Sequence, residues 1–494
     1  MTIKPDSELD SLQAHLAEWT DQVRAACETL NGRNIVARIW ERDHTVWKPG
    51  PQEISNRLGW LYCPENMQKH ITEIDRFVEE IKAAGYTRVI LLGMGGSSLA
   101  PEVFRSVLGL KDGFPDLAIM DSTDPGAVLA CDKQHDFETT LFIVATKSGG
   151  TVETLSLFKY FYNRLRSEGD EQQAGQHFIA ITDPGSSLER MAGELLFRKT
   201  FLNDPDIGGR YSALSFFGLV PAALIGVDLD QFLAKARQMM DTSQISNCTP
   251  EAGNTPALLG AIMGSLALAG RDKLTLISSA QLSPLGAWIE QLVAESTGKE
   301  GRGILPVTTE PLAGPSVYGP DRLFVSLALT EADEHQIGLD RLIEAGFPVV
   351  RLVLPDIMHL GAEMYRWEIA TAVASHLLNV NPFDQPNVEA AKVLARTMVK
   401  EYQQTGSLPK LSPSFIENDI AVITSQKAGT ISDVMSDMLD ITTGTGSVGR
   451  PYLAIQAFIN PTPATDKLLT VMSEVLRNRF KLATTFGYGP RFLH

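Results

Sequence analysis

An α/β fold built on parallel sheets is what this chain of 494 residues predicts, and three observations lead there. From Tyr86 onward, apolar runs of strand length alternate with stretches of helical spacing, and each run closes on Gly, Asp, Ser or Thr. Such alternation requires crossover helices, which cover both faces of a parallel sheet. The series occurs twice around a long helical stretch, so two α/β units are expected. The length and the 44% hydrophobic content suffice for large cores.

Taken in order, residues 8–31 have amphipathic-helix spacing, and residues 34–49 read as an irregular cap leading to Arg57 and Trp60. Strands of the first unit are expected at 88–93, 117–121, 141–146 and 177–182. A long helical stretch runs from 214 to about 240. Strands of the second unit follow at 274–278, 323–329 and 349–354. From about Ser412 the chain carries a further segment with a strand-like run at 452–458 and a helix at 465–480. Ligands of open parallel sheets bind beyond the carboxyl ends of the strands, which directs attention to the turns after them.

Charge and cysteine usage narrow the partners. A net charge of −16 leaves no surplus of Lys and Arg to neutralise phosphodiesters, which argues against nucleic acid and anionic membrane as main partners. A small anion in a local pocket stays compatible with it. Cys27, Cys63, Cys131 and Cys248 form no Cys-x-x-Cys pair and no zinc spacing. They read as four independent thiols of a reducing compartment, with no structural metal. The start of the chain lacks a signal-peptide core, and no apolar run is long enough to span a bilayer, so a cytoplasmic protein is expected.

The most informative stretch is 141–154, Leu-Phe-Ile-Val-Ala-Thr-Lys-Ser-Gly-Gly-Thr-Val-Glu-Thr. A buried strand enters a turn of hydroxyls and glycines that opens a helix. Unsatisfied N–H groups at the helix start, with the hydroxyls of Thr146, Ser148, Thr151 and Thr154, can donate to phosphate oxygens. Lys147 precedes the glycines, contrary to Walker A order, so a small phosphorylated ligand is expected rather than a nucleoside triphosphate.

Other motifs admit two readings each. Gly93-Met94-Gly95-Gly96-Ser97 after the first strand is either a tight βα turn or a second donor-rich turn that brings Gly96 and Ser97 to the same ligand. Gly208-Gly209-Arg210 presents either a surface arginine or a planar cation for an anion formed during reaction. Gln291 and Glu295 lie four apart on one helix face. Glu295 is then a proton shuttle, or a helix-end carboxylate paired with Lys299. Lys392, after the turn at Asn381-Pro382-Phe383-Asp384-Gln385-Pro386, reads by itself as a solvated helix lysine.

Together these motifs resemble the phosphoglucose isomerase family over roughly residues 85–395. The counterparts are Gly-x-Gly-Gly-Ser, Ser-Lys-(Thr/Ser)-x-x-Thr-x-Glu-Thr, Gly-Gly-Arg-(Tyr/Phe)-Ser, Gln-x-x-x-Glu-Ser-x-Gly-Lys and Asp-Gln-x-x-Val-Glu-x-x-Lys. The wider chain is most similar to the isomerase half of bacterial transaldolase/phosphoglucose isomerase fusion proteins, although no transaldolase-like barrel precedes it. The resemblance implies two three-layer αβα sugar-isomerase domains, flavodoxin-like with parallel sheets, and helical N-terminal and C-terminal extensions. The expected bounds are 1–60, 61–235, 236–410 and 411–494. It further implies aldose–ketose isomerisation of glucose 6-phosphate and fructose 6-phosphate through a cis-enediol, in glycolysis and gluconeogenesis, with no cofactor or metal. Glu295 would move the proton, Arg210 stabilise the enediolate, and Thr146, Ser148, Thr151 and Thr154 hold the phosphate. Lys392 would assist ring opening; Gly96, Ser97, Lys147, Glu153, Gln291 and Gln385 would line the site. A homodimer acting on a phosphorylated hexose is the family expectation.

One departure stands out. The family places a ring-opening histidine, in a His-Ser-x-Gly-Gln context, between the Glu and Lys motifs, whereas Gly319-Pro320-Asp321-Arg322-Leu323 occupies that stretch here. The fusion-type relatives carry the histidine string near the C-terminus after Gly-Tyr-Gly-Pro-Arg-Phe-Leu, which matches residues 487–493 and assigns the role to His494. His335 and His359 read as helix residues. Two alternatives share the same motifs: an isomerase that also accepts mannose 6-phosphate, and a regulator that binds phosphosugars without turnover.

Overall fold

Five parallel strands form the first sheet: Arg88–Gly93, Asp116–Met120, Thr140–Ala145, Phe178–Thr182 and Lys199–Leu202. The computed structural model that defines them describes residues 2–3, 11–134, 136–168, 171–330, 334–408, 412–425, 427–443 and 451–493. Strands alternate their side chains, so one set must find a different core from the other. Val89, Leu91, Leu141 and Ile143 enter a large core shared with the second unit. Ile90, Leu92, Phe142 and Val144 enter a separate core with Phe158 and Phe161 of the Val152–Glu168 helix. The strand order, numbered along the chain, is 2-1-3-4-5. It reverses between Arg88–Gly93 and Thr140–Ala145, where a doubly wound sheet opens a crevice for ligands.

Lys273–Ser278, Leu305–Val307, Arg322–Ala328 and Val349–Val353 form the parallel part of the second sheet. Ser11–His15 extends it antiparallel to Val349–Val353, and Thr2–Ile3 pairs beyond it. The helix expected over 8–31 is therefore corrected: its described part is a strand to His15 and an α-helix only at Thr20–Gly32. Leu12, Ala14 and Leu16 are buried at alternate positions, so the sheet edge overrides the helical spacing. The stretch from 214 to 240 is likewise two helices, Phe216–Leu224 and Leu229–Ser243. Between them Gly226 turns at φ +89°, and Asp228 caps the second helix by accepting from Gln231 N. The edge strands Lys199–Leu202 and Leu305–Val307 are too short and too polar or proline-containing to have been expected.

Thr255–Leu268 and Leu360–Leu378 cross at the centre of the large core, and a Cβ on Gly260 would lie 2.5 Å from the Ala370 carbonyl oxygen. Residues 34–62 fasten onto the second of these helices. Trp47 Nε1 donates to Ala372 O at 2.9 Å, and Tyr365 Oη to Leu61 O at 2.6 Å. The four cysteines are free, but they are not four independent thiols. Cys27 Sγ donates to Cys248 O at 3.1 Å and Cys248 Sγ to Cys27 O at 3.6 Å.

Near the end of the chain, Tyr452–Ala457 and Ala483–Tyr488 pair in parallel across the Pro463–Phe480 helix, a small βαβ unit. It attaches to the second unit. Thr484 N donates to Glu310 Oε1 at 2.7 Å, while Glu310 is gripped by fully buried Arg322 through bonds of 2.9 and 3.1 Å. Among the described residues no helix is long and apolar enough to cross a membrane.

Candidate functional site

A cavity of about 570 Å³ opens at the reversal of strand order in the first sheet. Its first wall is the turn Gly95–Ser97, directly after Arg88–Gly93. A Cβ on Gly96 would stand 2.0 Å from the Gly209 carbonyl oxygen, so this turn and the Gly208–Arg210 segment meet backbone to backbone. Glycine at 96 is what lets Arg210 approach.

The second wall is the loop from Thr146 to Thr151, directly after Thr140–Ala145. Gly149 takes φ +71°, where a Cβ would lie 2.6 Å from Leu188 N. Thr146 and Thr151 hydroxyls meet at 2.9 Å, and Gly150 N donates to Ser148 Oγ at 3.3 Å. Thr151 O accepts from Leu155 N at 3.0 Å, so the loop ends on the N-terminus of the Val152–Glu168 helix, where unsatisfied N–H groups favour an anion. Lys147 also lines the cavity, with its ammonium ion-paired to Asp183 and donating to Pro205 O at 2.8 Å. Burial pushes the Asp183 carboxyl up despite Lys147.

Opposite these turns stand long side chains. Arg210, 3% exposed, places Nη1 at 2.6 Å from Glu295 Oε1, and Nη2 donates to Pro382 O at 2.8 Å. Its buried Nε has no hydrogen-bond partner among the described residues. Gln291 Nε2 donates to Glu295 Oε2 at 3.4 Å, and the buried Gln291 Oε1 has no partner among the described residues. Lys299 does not pair with Glu295. Its ammonium donates to Asn381 O at 2.7 Å and to Asp384 Oδ1 at 2.6 Å, and burial pulls its pKa down, with Asp384 opposing. Glu295 is thereby left to Arg210, which excludes the plain helix-end pair.

Gln291, Glu295 and Gln385 line a second cavity as well, of about 690 Å³. Its remaining wall includes Glu102, Asp121, Glu290 and the 486–493 segment. Glu290 accepts from Thr308 Oγ1 at 2.9 Å, and burial raises its carboxyl to about 6. The two cavities are chambers of one cleft, with Glu295 between them.

Of the residues singled out from sequence, Gly96, Ser97, Thr146, Lys147, Ser148, Thr151, Arg210, Gln291, Glu295 and Gln385 share this cleft. Glu153 and Thr154 do not line it; Thr154 is fully buried, and its hydroxyl has no partner among the described residues. Lys392 belongs to the Pro386–Thr405 helix, but its side chain lies outside the described residues, as does His494. Sequence reasoning missed Asp183, Asp384 and Arg491. Asp183 follows a strand directly, so inspecting every strand end would have found it. No group of three metal-ligating side chains occurs among the described residues.

A family model described as "Phosphoglucose isomerase" matches residues 64–320. Proteins named glucose-6-phosphate isomerase are similar to this chain. That of Rubrobacter xylanophilus is 28% identical over 382 residues, covering 68% of this chain and 87% of its own. One from Thermus thermophilus is 29% identical over 391 residues, covering 70% and 90%. Among solved structures, a hypothetical protein from Thermus thermophilus superposes with TM-score 0.67 at 25% identity, covering 78% of this chain and 99% of that one. The glucose-6-phosphate isomerase of Chlamydia trachomatis shares the fold at TM-score 0.69 and 17% identity, covering 81% and 90%.

Proposed function

The chain belongs to the phosphoglucose isomerase family, and we infer that it interconverts glucose 6-phosphate and fructose 6-phosphate. It is an aldose–ketose isomerase of glycolysis and gluconeogenesis. The observation that carries the reading is the 2.6 Å contact of Arg210 and Glu295 in one cleft with the loop at Thr146–Thr151.

In this reading the phosphate binds at Ser148, Thr146, Thr151 and the turn at Gly96 and Ser97, and Lys147 contributes positive charge. Those contacts orient the reacting carbons without themselves changing along the reaction. Glu295 takes the C2 hydrogen of the open-chain aldose as a proton and returns it to C1. Charge develops on the enediolate oxygen only during that transfer, so a fixed guanidinium favours the transition state over the neutral sugar. The unpartnered Arg210 Nε and the Arg210 Nη1 facing Glu295 suit that part. Gln291 and Gln385 hold sugar hydroxyls. Lys392 and His494 open the ring.

The reading includes a cytoplasmic homodimer. Exposed apolar side chains on the Pro386–Thr405 helix, Leu394, Met398, Val399 and Tyr402, support it, because such a stripe on a helix leading away from the site suits a second copy. The deciding experiment incubates the protein in D₂O with glucose 6-phosphate and, separately, mannose 6-phosphate. Fructose 6-phosphate carrying solvent deuterium at C1 is expected from glucose 6-phosphate. Binding of the sugar without turnover would instead mark a sensor and overturn the reading.

A further inference from the structure

Residues 489–493 have no part in the reaction as described, yet they carry a cation that ties together two distant parts of the chain. Arg491 Nε lies 2.7 Å from Asp121 Oδ2 and Nη2 lies 3.0 Å from Asp121 Oδ1, a two-pronged pair. Nη1 lies 2.8 Å from Glu102 Oε2 and Nη2 3.2 Å from Glu102 Oε1. Asp121 follows the strand Asp116–Met120, and Glu102 is on the Leu99–Leu108 helix, so both belong to the first unit. The βαβ unit that delivers Arg491 is anchored on the second unit through Thr484, Glu310 and Arg322. The segment therefore spans the cleft.

We propose that Arg491 is a positioning residue for the isomerase site, whose clasp on Asp121 and Glu102 holds the 489–493 turn as the roof of the chamber beside Glu295. The proposal rests on the reading of Glu295 as the proton-transferring group. The roof is apolar where it meets the chamber, with Phe486, Phe492 and Leu493 on the wall. Phe492 packs edge-on against Phe458 at 5.1 Å between centroids, and Gly489 leaves no room for a Cβ against the same ring. Arg491 thus fixes a rigid turn. Excluding water there lowers the dielectric around Glu295 and Arg210, which strengthens their action on developing charge.

The clasp also reaches the glycine-rich turn. Asp121 Oδ2 accepts from Ser98 Oγ at 3.3 Å, and Ser98 directly follows Ser97. Without the guanidinium, Asp121 and Glu102 would face each other as like charges with Asp121 only 7% exposed. An open clasp is therefore costly, and the roof stays closed as long as Arg491 is present.

The test compares wild type, Arg491→Met, Arg491→Lys and Asp121→Asn by kcat, by KM for fructose 6-phosphate and by competitive inhibition with inorganic phosphate. Arg491→Met keeps the Ser98–Asp121 bond at the glycine-rich turn, and the roof lies away from the Thr146–Thr151 loop, so kcat is expected to fall by about 10- to 100-fold while phosphate inhibition stays within about twofold. Arg491→Lys should recover part of the loss, and the double variant Arg491→Met/Asp121→Asn should be no slower than Arg491→Met alone. A kcat within about twofold of wild type overturns the proposal, as does a parallel loss of kcat and phosphate affinity. If Arg491→Met does not fold, Asp121→Asn is judged by the same two quantities. If wild type itself isomerises neither sugar, the functional reading has failed independently, and hydrogen exchange decides the clasp. Faster exchange over 483–493 in Arg491→Met then upholds it, and unchanged exchange overturns it.

Discussion

The two chambers of the cleft are built by different means. Beside the Thr146–Thr151 loop, two short segments at adjacent strand ends of one sheet supply backbone and short hydroxyls, with the side chains of Arg57, Lys147 and Asp183 around them. Around Glu295 stand Arg210, Gln291, Lys299 and Gln385, with Arg210 and Lys299 held by carbonyls of 381–384 and the mostly apolar 486–493 segment closing the far side. The two glycine-bearing turns depend on where no side chain can be; the surroundings of Glu295 depend on which side chain is present. Substitutions should separate accordingly.

Glu295→Gln is the most severe test of the second chamber. Gln keeps the volume and can still receive a hydrogen bond from Arg210 but cannot carry the proton, so kcat should fall by about 10³-fold or more with KM little changed. Turnover within about tenfold of wild type would remove Glu295 from its role. Arg210→Lys comes next. A lysine cannot reach Pro382 O, Asp384 O and Glu295 together, so a loss of about 10²-fold in kcat is expected. A change confined to KM would make Arg210 a binding group and erase the contrast between the chambers.

The same contrast explains what could be read from sequence. The loop at 146–151 and the turn at 95–97 are each contiguous in sequence, and their backbone conformations are ones that glycine and hydroxyl residues announce. Four of the strands of the first sheet were legible within one residue at either end, because three are apolar runs buried on both faces and the edge strand Asp116–Met120 is apolar as well. Residues 11–15 were not legible as a strand, since their pairing partner is Val349–Val353, more than 300 positions away. For the same reason the clasp of Arg491 on Asp121 was invisible, whereas the i,i+4 relation of Gln291 and Glu295 was local. The exchange of partners among Glu295, Arg210, Lys299 and Asp384 depends on tertiary placement, which no spacing encodes.

At the Thr146–Thr151 loop and the turn at Gly96 the expected effects shift from kcat to KM and stability. Gly96→Ala places a methyl 2.0 Å from Gly209 O, and both partners are backbone, so the two segments must separate. A loss of about 1–3 kcal/mol by urea denaturation is expected, with weaker phosphosugar binding. Thr151→Val removes one hydroxyl from the loop and should raise KM roughly tenfold with kcat nearly unchanged. If Thr151→Val lowered kcat instead, the loop would be acting on the reacting carbons, and the division between the chambers would fail.

The mildest prediction compares two partly buried carboxyls, one in each chamber. Burial raises both Asp183 and Glu290, but Asp183 faces the Lys147 ammonium, whereas Glu290 has a neutral partner in Thr308. Glu290 titrates near 6 in the folded protein against an ordinary 4.5. Its raised value means that the folded state is favoured while the carboxyl is protonated, and that this advantage is lost as pH rises from 4.5 through 6. Glu290→Gln keeps an acceptor for Thr308 and removes the titration. It should therefore be more stable than wild type by about 1–2 kcal/mol at about pH 8, with the gain shrinking toward about pH 4, as read by urea denaturation at both values. Asp183→Asn should give a smaller gain at the higher pH, because the Lys147 ammonium offsets part of the cost of the ionised Asp183 carboxyl. If Asp183→Asn gained as much as Glu290→Gln, Lys147 would not be what distinguishes the two carboxyls.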